Sequence, residues 1–145
     1  MTDYAAENLI GDFVTEGNVE TFLVDPSSVG ITKGNFVYLT STTPATNSMG
    51  YVDNCPTGTK PIGVAMTSQV AYSRIDVILH GTTKMLVGVG GITVGAKAGP
   101  HLQVVAYGSV AANTSTVITD ATYGIGRALY GGNSGDSVLV VIGMP

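Results

Sequence analysis

Two imidazoles, one thiol and several glycine-rich runs are the groups in this 145-residue chain that could do chemistry. His80 and His101 are the only histidines. A zinc site needs three or four ligands, so the pair would have to recruit carboxylates, and no His-x-His or His-x-x-x-His spacing is present. Both are expected to be ordinary turn or surface residues. Cys55 is the single cysteine. It can form neither an internal disulfide nor a cysteine metal cluster. It sits beside Pro56 with no nearby histidine to lower its pKa, so it makes a poor nucleophile.

With ten serines in the chain, a Ser/His/Asp triad is always formally available. However, no Gly-x-Ser-x-Gly elbow occurs, and the run Gly132-Asn133-Ser134-Gly135 has the wrong spacing. Gly88-Val89-Gly90-Gly91 lacks the Gly-Lys-Ser/Thr ending of a phosphate loop and leads into strand residues where a helix should follow. Paired carboxylates for glycoside chemistry usually come with aromatic sugar platforms, and the chain has no Trp. Asn113-Thr114-Ser115 matches a glycosylation acceptor, but no signal peptide of the usual form opens the chain. The expectation is a protein that is not an enzyme, with no catalytic residues, no metal and no cofactor.

What must be positioned, then, is a scaffold. Hydrophobic residues make up 44% of the chain and aromatic residues only 7%. The core should therefore be Val, Ile, Leu and Ala. Charged residues are 11%, under half the usual share of about 25%. So poorly charged a surface favours association, and much of it is expected to be covered in an assembly. The net charge is -4 and the six basic residues are scattered along the sequence. A phosphate-tracking protein needs clustered Lys and Arg, so no nucleic-acid partner is expected. The longest apolar runs fall far short of the ~20 residues that span a bilayer, so no membrane partner is expected either.

Two stretches organise the body: Lys60-Pro61-Ile62-Gly63-Val64-Ala65 and Tyr123-Gly124-Ile125-Gly126-Arg127-Ala128-Leu129. Each follows a Gly-Ile-Thr triplet, at Gly30 and at Gly91, and each precedes an apolar strand ending in glycine, at Gly81 and at Gly143. Gly30 and Gly91 are 61 residues apart, Gly63 and Gly126 are 63, and Gly81 and Gly143 are 62. This order and spacing predict an internal duplication, about 30–81 and 91–143, as two halves of one barrel or sandwich. Gly63 and Gly126 stand inside strand patterns, where glycine is disfavoured, and so predict bulges or close backbone crossings. Gly34 and Gly95 are expected to be tight-turn residues before the next strand. These four are the structural glycines.

Residues 1–17 differ from the rest and hold four of the ten acidic residues, Asp3, Glu7, Asp12 and Glu16. They read either as a frayed terminus or as an arm that orders on a partner, with Tyr4, Leu9, Ile10 and Phe13 as anchors. Residues 18–145 form one β-rich domain. Strands are expected over 18–24, 36–40, 51–53, 61–66, 75–79, 83–89, 102–107, 117–119, 125–130 and 137–142, with no helix longer than a turn. Residues 80–82 divide two of these strands. Residues 41–50 form a projecting polar loop, 95–100 a turn-rich stretch and 108–116 a small-residue loop. Short strands with glycine-rich turns at this spacing predict an all-β, compact antiparallel barrel or sandwich. Arg127 stands where the first copy has Val64, and is expected to point outward or to pair with Asp136.

Pro61-Ile62-Gly63-Val64-Ala65, Ile125-Gly126-Arg127-Ala128-Leu129, the Gly-Asn-Ser-Gly-Asp turn at 132–136 and the closing Val-Leu-Val-Val-Ile strand resemble the small head decoration (capsid cement) proteins of tailed bacteriophages. The likeness covers roughly residues 30–143, and the arm matches in character rather than in residues. The resemblance implies a compact β-tulip or barrel body, a homotrimer on the outer surface of the expanded capsid, and the major capsid protein as partner. It implies that the arm meets the shell, and it carries over no catalytic residues. Alternatives are another virion component, such as a head fibre base or a tail protein, or a carbohydrate-binding module.

Overall fold

The computed structural model describes residues 17–43, 49–88, 91–107, 110–119, 122 and 124–143. These form the strands β1 (Asn18–Val24), β2 (Phe36–Leu39), β3 (Tyr51–Asn54), β4 (Gly63–Ala65), β5 (Arg74–Leu86), β6 (Lys97–Tyr107), β7 (Val110–Thr119), β8 (Gly126–Ala128) and β9 (Ser137–Ile142). The protein is all-β, and its strands join in one hydrogen-bonded sheet in the order β1-β3-β2-β4-β5-β9-β8-β6-β7. Among the described residues no helix is long and apolar enough to cross a membrane.

β5 is the element the others hang on. Its first part pairs with β1, from His80 opposite Asn18 to Arg74 opposite Leu23. Its second part pairs with β9, from Gly81 opposite Ile142 to Leu86 opposite Ser137. A break at residues 80–82 is expected from the sequence, yet the strand runs through. Gly81 takes a φ of 138° inside it, a value open to glycine and strained for other residues. Because β1 also pairs with β3, the series β1-β3-β2-β4-β5 returns to its first strand. One of these pairings departs from an antiparallel plan: β1 and β3 run parallel, with Val24 opposite Val52.

Hydrogen bonds on the two sides of Gly81 take the same form. Val24 N–H donates to the Ser73 carbonyl at 2.8 Å, as Val87 N–H does to Asp136 at 2.8 Å. Ile31 and Gln69 exchange two bonds, as do Ile92 and Gly132. Gly34 N–H donates to Ala65 at 2.8 Å and Gly95 N–H to Ala128 at 2.7 Å. Ile62 N–H meets Val37, and Ile125 N–H meets Ala98.

The core is aliphatic. One cluster packs Val24, Ile31, Val37, Val52, Ala65, Ile75 and Val77. A second joins Met85, Val87, Ile92, Ala98, Val117, Ala128, Val138, Val140 and Ile142 to Phe36, Cys55, Val64 and Ile78. Alternation along a strand explains the division. On β4, Ala65 serves the first cluster and Val64 the second. On β5, Val77 serves the first and Ile78 the second.

Candidate functional site

The four structural glycines lie where backbone approaches backbone or turns sharply. Gly34 and Gly95 have φ of 91° and 77°, in the left-handed region that a side chain resists. Gly63 and Gly126 lie on β4 and β8 against the neighbouring strand. A Cβ on Gly63 would run into the carbonyl oxygen of Ile78, and one on Gly126 into that of Val141. The proposed arm anchors Tyr4, Leu9, Ile10 and Phe13 lie outside the described residues.

His80 is exposed on β5, and His101 stands on β6 opposite Thr116. Among the described residues, no three His, Cys, Asp or Glu side chains gather as a metal site would require. Cys55 is fully buried, and burial alone pushes its thiol up to about 12. At neutral pH it is a thiol packed beside Phe36 and Val64, with its Sγ 3.2 Å from the Thr59 carbonyl. Arg127 donates to the Gly95 carbonyl at 3.3 Å, while Asp136 accepts the Asn133 N–H at 2.9 Å and so closes its own turn.

The densest polar arrangement surrounds Asp25, just after β1. One carboxylate oxygen accepts the Ser27 N–H at 2.9 Å and the Ser27 hydroxyl at 2.7 Å. The other accepts Thr40 at 2.7 Å and Thr42 at 2.6 Å. These donors, the Thr42 hydroxyl first, hold the carboxyl far below the usual carboxylate range, against the opposing effect of burial. Asp53 is engaged nearby, accepting the Ser28 hydroxyl at 2.7 Å and the Asn54 N–H at 2.8 Å. Burial, followed by the Asp53 charge, raises the Tyr38 pKa. The sequence marks 25–28 as a turn through its Asp-Pro-Ser-Ser composition. The reach of Asp25 to Thr40 and Thr42 depends on the β2 connection and has no local signal. Every bond here is turned inward on the chain, so the arrangement is a brace.

Apolar side chains stand exposed at two matching places on the surface. Val29, Val70 and Tyr72 are 78%, 69% and 70% exposed, and they flank the Ile31–Gln69 bridge. Val94, Leu129 and Tyr130 are exposed beside the corresponding Ile92–Gly132 bridge. Tyr72 carries the one positive φ (70°) of a non-glycine residue among those described. In the matching hydrogen bond, Gly135 takes its place. Tyr72 therefore combines a strained backbone with an exposed ring, while its N–H bonds the Val24 carbonyl at 3.0 Å. Lys84 is a second anomaly. It is 3% exposed, and its Nζ has no hydrogen-bond partner among the described residues.

No protein-family model matches the chain, and no curated protein matches it.

Proposed function

We propose that this chain is a non-enzymatic decoration protein of a tailed-phage head, which binds the outside of the expanded capsid and stabilises it. The observation that carries the reading is an aliphatic core in an all-β body whose densest polar arrangement, at Asp25, bonds inward, while apolar side chains stand exposed at both Gly-Ile-Thr turns. Such a body is suited to being covered on its surface. The resemblance of 61–65, 125–129 and 132–136 to capsid cement proteins supplies the partner, the major capsid protein, and the homotrimeric state.

In this reading the body consists of two similar barrel-like halves, each closed by one parallel pairing. The matched hydrogen bonds support it. So does the isolated bridge of Val87 with Val117, which is parallel like the pairing of Val24 with Val52. The correspondence places β1 beside the second part of β5, β2 beside β6, β3 beside β7, β4 beside β8, and the first part of β5 beside β9. The halves then meet at Gly81.

The mechanism is mass action: a protein that binds only the mature lattice lowers that lattice's free energy, and three arms on a trimer add avidity. The test is co-sedimentation of the full chain with heads of its own phage, stripped of decoration, before and after expansion. Saturable binding to expanded heads alone is the expected outcome. Absence of binding to either form overturns the reading and turns attention to tail structures and to glycan arrays.

A further inference from the structure

The outer face of β5, β9, β8 and β6 carries a row of in-register neighbours. Thr82 lies opposite Val141, Val141 opposite Arg127, and Arg127 opposite Lys97. Two residues along β5, on the same face by strand alternation, Lys84 lies opposite Leu139. This face thus holds three of the six basic residues of the chain and no carboxylate at these positions. Its middle is sheltered: Lys84 is 3%, Leu139 7% and Thr82 9% exposed. An ammonium group withdrawn from water without a partner is costly, and a carboxylate is the group that relieves the cost.

The equivalent face on the other side of Gly81 shows that the basic character is specific to this place. There the matching positions are Phe36, Val64 and Ile78, all buried in the core. The same sheet surface is apolar on that side of Gly81 and basic on this one.

We infer that this basic face is the docking site of the acidic N-terminal segment, residues 1–16 of the same chain, with one of its carboxylates brought to Lys84. That segment carries Asp3, Glu7, Asp12 and Glu16 among apolar Tyr4, Leu9, Ile10 and Phe13. Its charge complements Lys84, Lys97 and Arg127, and its apolar residues suit Leu139 and Val141. The point of attachment also fits. Gly17 packs so closely on β5 that a Cβ there would strike the His80 carbonyl oxygen and the Gly81 Cα. Lys84 lies three residues further along β5, about 10 Å away. Asp12, five residues before Gly17, reaches up to about 17 Å when extended. The inference does not depend on the capsid reading. If both hold, a capsid that takes the arm competes with this face for it.

The test is paramagnetic relaxation in the full chain, with a nitroxide on a cysteine introduced by Asn8→Cys. Cys55, buried and protonated, does not compete for the label. The amides of Thr82, Lys84, Leu139, Val141 and Arg127 are expected to lose most of their intensity, while those around Asp25 and Asp53 keep theirs. Asp3→Asn, Glu7→Gln, Asp12→Asn and Glu16→Gln together should restore the lost signals. So should Lys84→Gln; if that variant does not fold, the arm variant alone decides. A label that broadens no face, or whose effect survives neutralisation of the arm, overturns the inference. Mixing spin-labelled unenriched protein with unlabelled nitrogen-15 protein separates docking within a chain from docking between chains. Broadening in the mixture equal to that in the single sample overturns docking within the chain.

Discussion

Asp25 is held by four donors, of which one is a backbone amide and two hydroxyls come from the far end of β2. Because these donors lower the carboxyl pKa in the folded chain, the ionised group stabilises the fold at any pH above its unfolded value of about 3.9. That contribution is lost as pH falls through the folded value. Asp25→Asn removes the charge but keeps the shape. It should cost on the order of 1–3 kcal/mol at pH 7, the range for hydrogen bonds to a charged group. The difference between the two proteins should shrink below about pH 4, where the Asp25 carboxyl of the unfolded wild-type chain takes up a proton that the folded chain still excludes. Urea denaturation of both at pH 7 and at pH 3 measures this. A difference that is constant across that window would show that Asp25 acts through packing alone.

Strand alternation and glycine placement are what make the elements legible from sequence, and where they fail the reading fails too. Gly63 and Gly126 stand out because glycine has no other reason to sit between Ile62 and Val64 or between Ile125 and Arg127. In the folded chain each faces a carbonyl oxygen of the adjoining strand. Gly63→Ala and Gly126→Ala must push that strand away and should each cost about 1–3 kcal/mol, the usual penalty for overpacking. Thermal unfolding of the two variants beside Gly58→Ala checks this. At Gly58 a Cβ meets nothing within 4 Å, though the φ of 85° still disfavours it. Equal losses at all three sites would mean that backbone conformation, not the close approach, sets the cost.

Residues 108–116 show the opposite case. Ala111, Ala112, Asn113, Thr114 and Ser115 have weak or mixed strand preference and read as a loop, yet β7 runs Val110–Thr119. The ten-residue pairing with β6, from Ala98 opposite Thr119 to Tyr107 opposite Val110, overrides local propensity. In the same way 97–100 belong to β6, although Gly99 and Pro100 suggest a turn. The parallel pairing of β1 with β3 and the brace at Asp25 depend on residues far apart in the chain, and no local pattern announces either. Lys84 is hidden for a related reason. In sequence it is one lysine among β-formers, and only its register opposite Leu139 shows that it is sheltered.

At the scale of the whole molecule, β5 and the larger core cluster make the two sides of Gly81 one cooperative unit. β5 contributes Ile75 and Val77 to one cluster and Ile78 and Met85 to the other. Phe36, far from β9 in sequence and on the β2 side of the sheet, belongs to the same cluster as Val138, Val140 and Ile142. A protein with separate cores on the two sides of Gly81 would unfold in two steps, each side protecting its own amides. Here the larger cluster is completed by Phe36, Val64 and Ile78 from strands before Gly81, so loss of those strands exposes the interior of the strands after it. Phe36→Ala should therefore lower stability by about 3–5 kcal/mol, as for a large buried ring. It should also leave a single transition, with the amides of β4 and of β9 losing protection together. Hydrogen exchange on the full-length variant measures both. If β9 kept its protection while β4 lost it, the halves would be independent folding units and the shared cluster only a contact between them.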